Sequence, residues 1–321
     1  MNINEKVDLY SLDADELSAF VKSIGEPAFR AKQIASWLPL GTPIDEMTNL
    51  SKALREKLAA SSLDTLPRVE EKLVSKIDGT VKYLFSLYDG SCIESVFMRY
   101  KHGNTLCISS QVGCRMGCKF CASTIGGKVR DLLPSELLGQ IIAAQRDTGE
   151  RISNIVMMGI GEPLDNFDNV VKFLRLVNRE DGLNIGYRHI SLSTCGVVPK
   201  IYDLAKVDLP ITLSISLHAA NDEKRSAIMP VNNKWNVETL LSTCRKYTQV
   251  TSRRISFEYA MISGVNDSDE CAHELGRKLR GMLCHVNLIP VNSVKERNYK
   301  KSSDNRINEF IKILEKYRIK W

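Results

Sequence analysis

The sequence predicts an α/β fold: six β/α repeats forming a barrel or part of one, preceded by a small helical domain and a short antiparallel β meander. Two changes of apolar period predict it. The period is helical over the first sixty residues, shifts to strand-like runs after that, and becomes a strand–helix alternation from about Thr105. The alternating strands are nearly continuous in apolar residues, as in a parallel sheet covered on both faces. The length, 321 residues, adds a prior of about two units. The domains expected are 1–65, 66–104 and 105–321.

From Asp13 to about Ser62 the apolar positions recur at helical spacing: Leu17, Phe20 and Val21, then Ile34, Trp37 and Leu38, then Leu54, Leu58 and Ala59. The runs Lys72–Ile77, Val81–Leu87 and Ile93–Arg99 are strand-like. Asp78-Gly79 and Asp89-Gly90 separate them, and both are hairpin turns because glycine tolerates positive φ. The strands of the repeats are expected at Leu106–Ser109, Ile155–Met158, His189–Ser193, Ile211–Leu217, Ile255–Met261 and Val286–Pro290. Helices are expected at Ser135–Arg146, Val170–Val177, Val237–Tyr247, Asp269–Leu279 and Ile307–Tyr317. Pro134 sits near the first turn of the first of these, where its missing N–H costs nothing.

Composition narrows the class. Hydrophobic residues make up 43% and charged residues 26%, which excludes a disordered chain, a collagen and a small disulfide scaffold. The net charge of +6 permits a nucleic-acid partner without demanding one. Residues 294–321 hold nine Lys/Arg against four acids, five of the six net charges, either as a surface facing nucleic acid or as a solvated helix face. The N-terminus is polar and acidic, so no signal peptide is expected, and no apolar run approaches the roughly 20 residues of a membrane span. A cytoplasmic, monomeric protein is expected. Nine cysteines read as metal or catalytic thiols and core residues rather than disulfides.

The chemistry concentrates after the first strand of the repeats. Cys114-Arg-Met-Gly-Cys118-Lys-Phe-Cys121 puts three thiols within eight residues. Structural zinc usually takes four ligands in paired spacings, and no second pair follows nearby. Three core cysteines sit badly with Arg115, Gly117 and Lys119 in a polar loop. A [4Fe–4S] cluster on three cysteines leaves one iron open to a cofactor or substrate. Zinc and a metal-free loop stay as the alternatives, and with them a non-enzymatic iron–sulfur or zinc protein that binds nucleic acid.

The Cys-x3-Cys-x2-Cys spacing, with Phe120 before the last cysteine, resembles the radical S-adenosylmethionine superfamily. Further segments resemble its RlmN/Cfr RNA methyltransferase family. These are Thr105–Cys114, Phe120–Gly127, Val156-Met-Met-Gly-Ile-Gly-Glu-Pro163, Ser216-Leu-His-Ala219 and Val286-Asn-Leu-Ile-Pro290. The resemblance runs from about residue 10 to 320 and implies a radical-S-adenosylmethionine partial (β/α)6 barrel.

It also implies the site. Cys114, Cys118 and Cys121 would hold the [4Fe–4S] cluster, whose open iron chelates S-adenosyl-L-methionine. Gly161, Glu162, Ser193, Ser216, Leu217, His218 and Asn292 would contact that cofactor. The Glu162 carboxylate would accept from its ammonium, a charge-assisted bond. The implied reaction methylates adenine C2 in 23S ribosomal RNA, and in some members in tRNA, through a methyl-cysteine relay. C2 is electron-poor and does not attack an electrophilic methyl group, but a carbon radical can add to it. Cys107 matches the second cysteine, which breaks the protein–RNA tether by forming a disulfide. Glu94 matches the proton acceptor. Without the resemblance, Cys107 is a strand cysteine of the core and Glu94 an ordinary strand carboxylate. A flavodoxin-type protein is the implied electron donor, and the N-terminal helical domain a second RNA contact. Methylation of C8, as in Cfr, is the alternative on the same motifs.

The family's methyl-carrying cysteine would lie beyond Trp321. Cys92, Cys195, Cys244, Cys271 and Cys284 do not match it and read as core or incidental thiols. The expectation is that the 321-residue chain binds cluster and cofactor without methylating RNA, whether as a shortened form or as a natural variant.

Overall fold

The computed structural model describes residues 6–292 and 294–321; the first five residues of the polar N-terminus and Ser293 lie outside the described residues. The N-terminal segment carries α1 (Ala14–Ser23), α2 (Arg30–Ala35) and α3 (Lys52–Ser61), with short 3-10 turns between them. The meander follows as β1 (Arg68–Val74), β2 (Val81–Ser86) and β3 (Cys92–Met98), then β4 (Thr105–Cys107), β5 (Gln111–Gly113) and β6 (Lys128–Asp131). The alternating part continues with α4 (Pro134–Thr148), β7 (Asn154–Met157), α5 (Phe167–Val177), β8 (Ile190–Thr194), α6 (Val198–Val207) and β9 (Thr212–Ser216). It ends with α7 (Asp222–Ile228), α8 (Val237–Thr251), β10 (Ile255–Met261), α9 (Asp269–Leu279), β11 (Cys284–Pro290) and α10 (Asp304–Lys316).

These elements form two compact units, and neither is a continuous stretch of chain. One takes Met1–Val112, Asp131–Ile160 and Asn166–Ile190; the other takes Gly113–Arg130, Gly161–Asp165 and Ser191–Trp321. The contact boundaries therefore differ from the composition boundaries at 65 and 104.

In the first unit β1, β2 and β3 pair antiparallel, β3 pairs antiparallel with β4, and β4 pairs parallel with β7. The Asp78-Gly79 turn closes as its chemistry requires: Gly79 has φ +70 and Asp78 accepts from the Thr80 N–H. The helices bury Leu17, Phe20, Val21, Ile34, Leu54 and Leu58 in their own core. Asp13 and Glu16 form a capping box on α1. Glu16 also pairs with Lys172 of α5, and Ser11 accepts from the Ser135 N–H at the head of α4.

In the second unit β8, β9, β10 and β11 run parallel in sequence order, with Ser193 opposite Ser214 and Glu258 opposite both Ser216 and Asn287. Strand β10 is buried along all seven residues, as a central parallel strand should be. Ser268 and Asn236 cap α9 and α8 with side-chain oxygens.

Candidate cluster and cofactor site

The three-cysteine loop hangs from a point where backbone touches backbone. Gly113, φ +71, lies so close to Gly127 that a Cβ there would stand 1.9 Å from the Gly127 oxygen. The Cys114 N–H donates to that oxygen at 2.9 Å, so the loop leaves and returns at one place. Inside it, Gly117 takes φ +73, and the Thr124 hydroxyl donates to the carbonyls of Cys118 and Cys121, both at 3.1 Å. The Lys119 N–H donates to the Ile228 carbonyl at the end of α7, 2.8 Å away. Asp165 holds the loop from its other side, accepting from Arg115 and from Lys128.

Cys114 and Cys118 are buried and Cys121 is half-buried. Burial pushes the Cys114 thiol up to about 11 and the Cys118 thiol up to about 12. Left to themselves both stay protonated at neutral pH; a metal deprotonates a thiol that it binds. Among the described residues no three His, Cys, Asp or Glu side chains stand close enough to hold a single metal ion. A cubane cluster asks for a different arrangement, because each cysteine binds a separate iron. Three soft thiol donors on one short, tethered loop fit that group.

The strand ends gather beside the loop. Gly161 has φ +106 and leads into Glu162, which is 3% exposed. Glu162 Oε2 accepts from the Cys195 N–H at 2.7 Å and Oε1 from the Leu164 N–H at 3.0 Å. Burial raises its pKa, and these bonds oppose the rise. Ser193 lies near the end of β8 and Ser216 at the end of β9, both half-buried. Leu217 is buried, and Asn292 is exposed two residues past β11.

His218 has φ +56, a left-handed backbone unusual for a residue other than glycine. Its Nδ1 lies 2.9 Å from the Ala260 N–H and accepts from it. Burial, and then the Arg225 charge, lower its pKa to about 3, so the ring is neutral with its proton on Nε2. Asn266 fixes the segment by donating to the carbonyls of His218 and Ala260. The ring of Phe120 meets His218 edge-on, and Cys118, Cys195, Met229, Ala260 and Val291 pack in one apolar cluster.

Glu94 and Cys107 belong to the other unit. Glu94 lies on β3 opposite Leu84, and its half-exposed side chain pairs with Lys82 at 2.7 Å. Cys107 ends β4 opposite Val96. Burial pushes its thiol up to about 11, opposed by the N–H of Met158. The sequence reading missed Arg225, Asn266 and Asp165 as parts of the site. Arg225 sits in Asp-Glu-Lys-Arg-Ser-Ala-Ile, which reads as an exposed helix turn, and nothing in that string marks it as buried.

A model of the radical SAM superfamily matches residues 108–275, and a model of the ribosomal RNA large subunit methyltransferase N-terminal domain matches residues 7–63. A probable dual-specificity RNA methyltransferase RlmN from Lachnoclostridium phytofermentans is 55% identical over 320 residues, covering 99% of this chain and 90% of that one. One from Alkaliphilus oremlandii is 56% identical over 313 residues, covering 97% and 91%. A crystal structure of a radical SAM methyltransferase from Sphaerobacter thermophilus superposes with a TM-score of 0.94 at 42% identity, covering 98% of this chain and 94% of that one. The chain belongs to the RlmN family of the radical S-adenosylmethionine superfamily, whose cofactors are a [4Fe–4S] cluster and S-adenosylmethionine.

Proposed function

We propose that the protein is a dual-specificity RNA methyltransferase that methylates adenine C2 in 23S ribosomal RNA and in tRNA. The observation that carries this reading is the buried Glu162 carboxylate held by the Cys195 and Leu164 N–H groups in the unit that carries the three-cysteine loop. Cys114, Cys118 and Cys121 would hold the cluster. Glu162 would accept from the cofactor's ammonium, with Gly161, Ser193, Ser216, Leu217, His218 and Asn292 as its other contacts. Bound there, the two groups supply a one-electron cleavage of the sulfonium that yields a carbon radical.

The remaining work falls to side chains. Cys107 keeps its proton on Sγ at neutral pH; once that proton has passed to solvent, its thiolate would form an S–S bond with the cysteine that carries the methyl group as the C–S bond of the protein–RNA tether breaks. Glu94, kept near a cation by Lys82, takes the proton lost from C2. An adenine buried in a folded RNA must leave its stack to react, at a cost of a few kcal/mol, which backbone contacts from Lys and Arg offset. The basic stretch 294–321 and the N-terminal helices are the surfaces proposed for those contacts. The reading also takes a flavodoxin-type electron donor, a monomer and a cytoplasmic location. Among the described residues no helix is long and apolar enough to cross a membrane.

Two measurements test the reading. Anaerobic reconstitution with iron and sulfide, then dithionite and S-adenosylmethionine, is expected to release 5′-deoxyadenosine, and Cys118→Ala is expected to abolish the release. Deleting the gene in its source organism is expected to remove 2-methyladenosine from 23S rRNA and tRNA. Retention of the modified base in both RNAs refutes the substrate.

A further inference from the structure

Arg225 is wholly buried, 0% exposed, on a helix of seven residues. Its Nε donates to the Leu217 carbonyl at 3.0 Å. Nη2 donates to the Cys195 carbonyl at 2.7 Å and the Ser216 carbonyl at 3.1 Å, and Nη1 to Asn232 Oδ1 at 3.0 Å. All four acceptors are neutral. Two carboxylates are linked to the guanidinium through relays, Glu162 through the backbone of Cys195 and Asp222 through the Asn232 amide, and the Asp222 charge also acts on it directly. A guanidinium does not give up its proton in a protein, so the site contains a permanent buried cation. A buried cation is costly unless a negative group stands near it.

The helix that carries Arg225 also supports the cysteine loop. Ile228 accepts from the Lys119 N–H, and a Cβ on Gly117 would lie 3.5 Å from Pro230 Cγ. Nη2 donates to the carbonyl of Cys195, whose thiol packs in one apolar cluster with those of Cys118 and Cys121. As thiols these sulfurs carry no charge. A cluster bound through three thiolates is net negative, and more so after reduction.

We propose that Arg225 is the counter-charge of the iron–sulfur cluster: it locks the ends of β8 and β9 as cofactor contacts and raises the cluster's reduction potential. The inference rests on Cys114, Cys118 and Cys121 holding that cluster. The step concerned is the transfer of one electron from an external one-electron donor, which is oxidised, to the [4Fe–4S]2+ core, which becomes [4Fe–4S]+. No bond breaks and no proton moves, because the guanidinium is charged before and after. Arg225 is a positioning residue, since it acts through backbone carbonyls and through its field.

Redox titration of the reconstituted full chain, followed by electron paramagnetic resonance, tests the proposal, with S-adenosylmethionine affinity measured alongside. Arg225→Lys keeps the charge and loses the planar fork. It is expected to leave the equilibrium constant for reduction within twofold and to weaken cofactor binding about tenfold. Arg225→Gln is expected to weaken binding similarly and to lower the reduction constant at least tenfold, which is 59 mV for a one-electron couple.

A wild-type potential in an iron-loaded Arg225→Gln protein overturns the electrostatic role. Loss of iron from both Arg225→Lys and Arg225→Gln makes Arg225 a folding residue and overturns it too. So does a result in which only Arg225→Lys loads iron, since the charge is then needed to hold the thiolates rather than to set the potential. Absence of a cluster from the reconstituted wild-type protein refutes the underlying reading instead.

Discussion

The ring of Phe120 stands edge-on to the ring of His218, with centroids 4.8 Å apart and planes at 78°. The residue before the last cysteine of the loop thus packs on the left-handed residue that follows β9. Such a pair contributes about 0.5–1.5 kcal/mol beyond its buried area. Phe120→Leu is expected to lose roughly that much in chemical unfolding and to keep its iron.

His218 adds a pH dependence. The unfolded imidazole takes up a proton below its ordinary value of 6.5, and the folded one only near 3. Between those values the unfolded state binds more protons, so stability falls as the pH is lowered through that window. His218→Asn keeps an acceptor for the Ala260 N–H and tolerates positive φ. Its unfolding midpoint is expected to fall less than the wild type's over the same window, by the slope of one proton. Parallel curves would refute the neutral ring.

Gly113 and Gly127 provide an internal control for the loop. Both have positive φ, but a Cβ on Gly113 meets the Gly127 oxygen at 1.9 Å, whereas one on Gly127 meets nothing within 4 Å. Gly127→Ala is expected to cost about 1–2 kcal/mol, the left-handed penalty alone. Gly113→Ala must also move backbone and is expected to lose most of its iron. Equal iron in the two variants would remove the role given to this contact.

Glu162→Gln keeps the shape of the side chain and removes its charge. A hydrogen bond to a charged group is worth roughly 1.5–3 kcal/mol, about tenfold to a hundredfold in affinity. Cofactor binding, measured by equilibrium dialysis on the iron-loaded protein, is expected to weaken by that factor with iron content unchanged. Unchanged affinity would remove Glu162 from the cofactor site.

The thiols should separate by pH. Cys92 is exposed, whereas burial holds the Cys107 thiol at about 11. With iodoacetamide at pH 8, Cys92 is expected to be alkylated first by peptide mass mapping, and Cys107 only as the pH approaches that value. Rapid modification of Cys107 at pH 8 would show that its thiolate is more accessible than its burial indicates.

Long, strongly patterned elements were legible in the sequence, and short ones were not. Strand β10 and helix α9 run as expected, because each carries its apolar pattern from end to end. Strand β1 begins four residues earlier than expected, at Arg68, in a fully exposed edge strand with no alternation to read. The strand expected to reach Ser109 stops at Cys107. Helix α6, with Pro199 near its start, and helix α7 were not anticipated. In α7 only Arg225 and Ile228 are buried, so its inward face carries no apolar signal. β5 and β6 have three and four residues and adjoin glycines, and they read as loop. The cysteine motif was visible because its spacing is local. The partners that hold it, Ile228 and Asp165, and Cys195, which packs against Cys118, are separated from it in sequence and become neighbours only in the fold.

The chain passes between its two units five times. No single cut in the gene therefore yields either unit whole, and exchanging halves between relatives would split both cores. The order of synthesis matters as well. Domains fold as units from the N-terminal end as the chain emerges, but the cysteine loop at Cys114–Cys121 leaves the ribosome long before Ser191–Trp321, the segment that completes its unit. The three thiols emerge before the segment that encloses them; if they hold the proposed cluster, its assembly belongs after translation, and oxidation in that interval is the hazard.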